Sequence, residues 1–130
     1  MTRQALLSTL LIVITALICF RLHAQKTNSM YRIAKIKVAA SQLGKYKSAL
    51  AEQMRAAIAS EPGVLSYTAV SDKKDTTSIT ILEVYANTKA YQSHIVTPHF
   101  RKYKERVKDW VLSLELIDTE LVASAKKKDF

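Results

Sequence analysis

A chain of 130 residues, 48% apolar and 24% charged, has room for one domain. Its net charge of +9 is spread through the whole sequence and accompanies no nucleic-acid motif, so it reads as a solvated basic surface and argues against a nucleic-acid partner. Only two glycines are present, with no GxGxxG or P-loop pattern, which excludes a phosphate-cradling nucleotide fold.

In chain order, Arg3 opens a short positive region and Ala5 to Phe20 is an uncharged run rich in Leu, Ile, Val and Ala. Arg21-Leu22-His23-Ala24-Gln25 then forms a polar exit with small Ala24 at the cleavage position. That is the layout of a secretory signal over 1–24. The run is shorter than the roughly 20 apolar residues that cross a bilayer comfortably. Leu22 is larger than the residue preferred three places before the cut, which leaves an uncleaved N-terminal anchor as the alternative. Lipidation of Cys19 is the weakest fate, because Ile18 stands where a small residue is wanted. Cys19 is the only cysteine, so cleavage removes disulfides, thiolate metal sites and a cysteine nucleophile together. The expected protein is exported, periplasmic or secreted, and meets a membrane only where the segment stays attached.

Lys26 to Ser29 links this segment to a domain spanning 30–122. Arg32 to Ala39 alternates, with Ala34, Ile36 and Val38 on one side and Lys35 and Lys37 on the other, which predicts a strand. Ser41 is placed to cap a helix running to about Ser60, with Leu43, Tyr46, Leu50, Met54, Ala57 and Ile58 as its apolar stripe. Glu61-Pro62-Gly63 stops it. Val64 to Ser71 and Ser78 to Tyr85 read as a hairpin around the polar loop Asp72 to Thr77. Asn87 or Thr88 begins a short helix through Ile95, and Thr97-Pro98 caps and starts another, with Phe100, Tyr103, Val107 and Trp110 along one side. Val111 to Val122 forms the last strand, and 123–130 is a basic tail.

Strand, helix, strand, strand, helix, strand is the βαββαβ order of a ferredoxin-like α+β fold. Tyr31, Ile33, Ile79, Ile81 and Tyr85 fall at the opposite parity to neighbouring apolar residues, so both sheet faces carry apolar groups. A homodimer that buries the second face is the expected assembly.

Two segments carry a family resemblance: EPGVLSY, and ITILEVYANTKAYQSHIVTPHFRKY. A Pro-Gly turn opens the second strand and Glu-x-Tyr ends the third. An Ala-aromatic-x-x-His helix and Thr-Pro-His-Phe follow at matching spacing. This run resembles the antibiotic biosynthesis monooxygenases over roughly Tyr31 to Leu121. The resemblance implies a dimeric α+β barrel, and for many members oxidation of quinols or polycyclic phenols by O2 without flavin, haem or metal. Other members act on phosphorylated signalling sugars. The related haem-degrading branch carries tryptophan where His94 stands and its iron-binding histidine where Lys104 stands, so haem is not expected.

Cofactor-free oxygenation needs an apolar pocket, a base and exclusion of bulk water. His94 is the candidate base, sharing a helical face with Tyr91 and Ile95, and a histidine pKa suits proton abstraction near neutrality. Glu83 shares strand parity with Ile79, Ile81 and Tyr85 and is the second candidate, either ion-paired or bonded to His94 and orienting its ring. Tyr67, Tyr85, Tyr91 and Tyr103 offer hydroxyls to a phenolic substrate, Phe100 is a further substrate-binding candidate, and His99 is placed to help close the pocket. The tyrosines need no such role as core aromatics, and His99 has capping or surface packing as its plainer role. His94 and His99 lack the spacing of a helical zinc pair and show no third ligand, so no metal is expected. The leading expectation is an enzyme acting on a small aromatic quinol-type substrate. The rivals are a non-catalytic dimer that binds a small molecule and an isomerase-like enzyme on a sugar-derived signal.

Overall fold

The structure, a computed structural model, describes residues 29–128. The expected signal segment, its anchor alternative and Cys19 lie outside the described residues. Eight elements follow in order: β1 (Met30–Val38), a 3-10 turn (Ala40–Gln42), α1 (Leu43–Ser60), β2 (Val64–Ser71), β3 (Ser78–Tyr85), α2 (Thr88–His94), α3 (Pro98–Val107) and β4 (Val111–Thr119). The strands form one sheet in the order β2-β3-β1-β4, with each neighbouring pair antiparallel. This is the ferredoxin-like α+β fold expected from the element order. Among the described residues no helix is long and apolar enough to cross a membrane.

Register decides which strand residues meet the helices. Ile36 pairs with Ile79 and Ala34 with Ile81, and directly opposed residues share a face. Ile36, Val38, Ile79 and Ile81 therefore pack together under Tyr46 and Leu50 of α1 and Val107 of α3. Each fully buried aliphatic side chain contributes about 1.5–3 kcal/mol, so a handful of positions docks the helices on the sheet. A second cluster, Ala57, Val64 and Tyr85, sits nearer the site.

This arrangement corrects part of the parity reading. Ile79, Ile81 and Tyr85 face the helices with Ala34 and Ile36, not the opposite side. Tyr31 and Ile33 do lie on the outer face, where their partners are Val84, Leu82 and Ile117. The outer face is apolar, with a different membership. On β4, Leu114 and Leu116 have the parity of the helix side but remain 43% and 50% exposed.

Three further expectations shift. Ser41 does not cap α1: it lies inside the 3-10 turn, and the N-cap is Gln42, with no side-chain hydrogen bond. Ile58 is half exposed, while Ala49 and Gln53 join Tyr46, Leu50 and Ala57 on the buried stripe. The positions 46, 50, 53 and 57 keep the helical period, and residue 58 is turned about 100° from 57. Finally, β4 ends at Thr119 rather than Val122, which is fully solvated.

Gly63 is required by packing. A Cβ there would stand 2.5 Å from the Cβ of Ala90 on α2. Gly63→Ala is expected to destabilise the fold by about 1–3 kcal/mol through overpacking, measured by urea denaturation. A variant as stable as the parent would show that α2 yields freely.

Candidate active site

Short-range hydrogen bonds set the position of His94. The Asn87 side chain accepts from the Ala90 N–H at 2.9 Å and starts α2. Thr97 starts α3, with Pro98 in its first turn. The Thr97 hydroxyl also donates to the His94 carbonyl at 2.8 Å, tying the end of α2 to the start of α3. His94 is the last residue of α2 and its side chain is 0% exposed.

Both imidazole nitrogens have partners. Nδ1 lies 2.8 Å from Glu61 Oε1. Nε2 lies 2.8 Å from the Tyr67 hydroxyl and 3.2 Å from the amide nitrogen of buried Gln53. The Phe100 ring packs edge-on with centroids 4.7 Å apart. Burial lowers the His94 pKa, the bond and charge of Glu61 oppose that, and His99 adds to the lowering. Beside an ionised Glu61, Nδ1 is the nitrogen that carries the ring proton, which leaves Nε2 to accept.

Glu83 sits on β3 with Arg32 of β1 opposite on one side and Tyr67 of β2 opposite on the other. Burial pushes its pKa above the usual carboxylate range, against the pull of the Tyr85 hydroxyl and the Arg32 charge. The Tyr85 hydroxyl lies 2.8 Å from Glu83 Oε2 and 2.6 Å from the Tyr67 hydroxyl. Arg32 is held by Asp118 at 2.9 Å through Nε, and its guanidinium lies 4.1 Å from the centroid of the Tyr91 ring. Tyr46 and Tyr103 form a second hydroxyl pair, 2.8 Å apart.

These groups border a cleft of about 710 Å³, counting its open mouth, between the sheet and helices α1 and α3. Glu83, Tyr67, Tyr85, Tyr91, Phe100 and Tyr103 line it. Arg32, Gln53 and Lys104 add polar groups, and Leu114 and Leu116 form part of its wall. A mostly aromatic and aliphatic cleft with few convergent polar groups suits a small, flat, polar-edged ligand.

The structure revises three expectations. Glu83 is not bonded to His94: Glu61 holds that place, and Glu83 reaches the imidazole only through Tyr85 and Tyr67. His94 does not line the cleft but stands behind Tyr67, Tyr85 and Phe100. His99 lies outside the cleft, bordering a smaller cavity with Glu52, Gln53 and Arg106, and contacts Glu61 Oε1 at 2.6 Å. A third donor does therefore lie beside the two histidines. Glu61, His94 and His99 bring one ligand atom each to within 4.8 Å of one another, and here they bond to each other. Sequence reading missed Glu61 as a site residue because its place in a Pro-Gly turn already explained it. Gln53 was legible as a polar residue three positions after Leu50 on the buried stripe.

The fold and this cleft define a ferredoxin-like α+β domain built around an aromatic, carboxylate-bearing pocket. The family model described as antibiotic biosynthesis monooxygenase matches residues 29–106. The chain is 43% identical to a protein of Bacteroides thetaiotaomicron assigned to the antibiotic biosynthesis monooxygenases, covering 77% of this chain and 95% of that one with a TM-score of 0.73. A protein of Lactobacillus acidophilus assigned as a monooxygenase is 30% identical over 70% of this chain and 43% of its own, with a TM-score of 0.68. A Nitrosomonas europaea protein shares the fold at 19% identity and a TM-score of 0.69, over 75% of this chain and 93% of its own. No curated protein matches the chain. The protein belongs to the antibiotic biosynthesis monooxygenase family.

Proposed function

We propose that this protein is a cofactor-independent monooxygenase that oxidises a small aromatic, quinol-type substrate with O2. The observation that carries the reading is a half-buried carboxyl group, Glu83, facing a mostly aromatic and aliphatic cleft. Such a group abstracts a proton near neutral pH because burial has moved its pKa toward the working range. Loss of that proton leaves an electron-rich anion that reduces O2. Recombination as a peroxide and loss of water then give the carbonyl product. Tyr103 supplies a hydroxyl to the substrate edge, Phe100 and Tyr91 stack on its faces, and Tyr67 and His94 act from behind Tyr85.

Oxygen uptake by the purified protein with a panel of hydroquinones and anthrones tests this. Uptake that depends on Glu83 supports it. Ligand binding without any uptake across the panel would leave a non-catalytic small-molecule carrier.

Two assignments belong to the same reading. The protein is exported, and the form isolated from its host begins at Gln25; mass spectrometry finding the intact N-terminus would favour the anchor. It is also a homodimer, with outer-face residues Ile33, Leu82 and Ile117 against a second copy. Leu82 is 42% exposed in the single chain, more than a central-strand leucine usually leaves in water. Leu82→Lys is expected to halve the mass seen by light scattering, and an unchanged dimer would place the interface elsewhere.

A further inference from the structure

Glu83, Tyr85, Tyr67 and His94 form an unbroken chain from the cleft to the back of the site, with links of 2.8, 2.6 and 2.8 Å. Each link needs one proton between its two heavy atoms, because two bare oxygens at hydrogen-bond distance repel. The two tyrosines bring two protons for three links. With Glu61 as a carboxylate, its 2.8 Å contact takes the Nδ1 proton of His94. The third proton must therefore come from one end, either from a protonated Glu83 or from Nε2 of a His94 imidazolium.

We propose that this chain holds one mobile proton, which rests on Glu83 and passes through Tyr85 and Tyr67 to His94 when substrate is presented, so that the cleft carboxyl becomes a base. The assignment rests on the proposed function and makes Tyr67, His94 and Glu61 positioning residues for that base. In the transfer the Glu83 O–H breaks as a Tyr85 O–H forms. The former Tyr85 proton moves to Tyr67, and the former Tyr67 proton moves to Nε2. No charge enters or leaves: the chain ends as a carboxylate in the cleft and an imidazolium beside Glu61. Glu83 then takes the substrate's proton and returns it to reduced oxygen as water forms.

The surroundings agree with that resting state. Glu83 is faced by Arg32 from β1, Tyr67 from β2, Tyr46 from α1 and Tyr103 from α3, and Lys104 lines the same cleft. The Arg32 charge is shared with Asp118. His94 is faced by Glu61, His99, Tyr67 and Tyr85. Burial works toward a neutral group at both ends. Gln53 serves either state, since a half-turn of its amide offers Nε2 an acceptor in place of a donor.

Infrared spectroscopy of the full chain, with Glu83→Gln as reference, reports whether Glu83 is protonated, and nitrogen NMR reports His94. At neutral pH the expected result is a protonated Glu83 with a neutral His94 carrying its proton on Nδ1. Any other pairing of the two states overturns the proposal. Tyr67→Phe cuts the chain, so the Glu83 titration midpoint is expected to move by about one pH unit and kcat to fall about 10²-fold with little change in KM. Glu61→Gln leaves every link in place but withdraws the charge beside the imidazolium, and lowers kcat in the same sense. An unmoved Glu83 midpoint in Tyr67→Phe, or wild-type kcat in both variants, overturns the relay. The spectroscopic results need no turnover. A protein that oxidises no quinol yet shows the expected pairing would sink the proposed reaction and leave the proton count standing.

Discussion

Glu83→Gln is expected to lower kcat/KM for oxygen uptake by about 10²–10⁴-fold while making the protein more stable. Glutamine keeps the shape of the protonated carboxyl and donates to Tyr85 as that group does, but it cannot accept a substrate proton. The stability effect follows from the direction of the Glu83 shift. A carboxyl whose pKa is raised on folding contributes stability below its unfolded pKa, and that contribution is lost as pH rises through the folded value. Above that window the wild type carries a carboxylate that burial disfavours, and the glutamine variant does not. Thermal melts on both sides of the window check it: the two proteins should converge below it and separate above it. For the same reason the wild-type rate should rise with pH along a limb above the usual carboxylate range. Higher activity in acid, or a variant that retains activity, would remove Glu83 from the chemistry.

His94→Ala should have the largest effect on stability, about 2–5 kcal/mol by urea denaturation. The side chain has no solvent exposure and connects α1, α2, β2 and the turn after α1 through Gln53, Tyr67 and Glu61. Its removal leaves a cavity beside Phe100 and a carboxylate and a hydroxyl without their partner. Glu61→Ala is expected to cost about 1–3 kcal/mol. The double variant should fall well short of the sum, because both changes break one bond. His99→Ala should cost less than about 1 kcal/mol, its ring being 25% exposed. A His94→Ala protein within about 0.5 kcal/mol of the parent would mean that the buried network is not holding the helices in place.

How much of the site was legible depended on the range of the contacts involved. Tyr67, Tyr85, Tyr91, Phe100, Tyr103 and Glu83, all candidates from sequence, border the cleft. The partner of His94 was not legible. Glu61 is 33 residues away in sequence, and nothing local distinguishes a carboxylate that ends a helix in solvent from one that turns back onto a buried imidazole. Glu83 looked like the better partner because it shares a face with apolar residues. The sheet instead puts Tyr67 and Tyr85 between the two groups.

The sequence was sufficient for whatever neighbours along the chain settle among themselves. The limits of β2 and β3, the loop joining them, the Asn87 and Thr97 caps and the βαββαβ order all follow from periodicity, turn residues and hydrogen bonds spanning a few positions. Tertiary structure alone settled which faces meet, that Ile79 and Ile81 join Ile36 and Ala34 in the core, and that Glu61 rather than Glu83 holds His94. The physical reason is that alternation assigns residues to two faces without saying which is covered. Only the register between distant strands and the docking of helices across them removes that ambiguity.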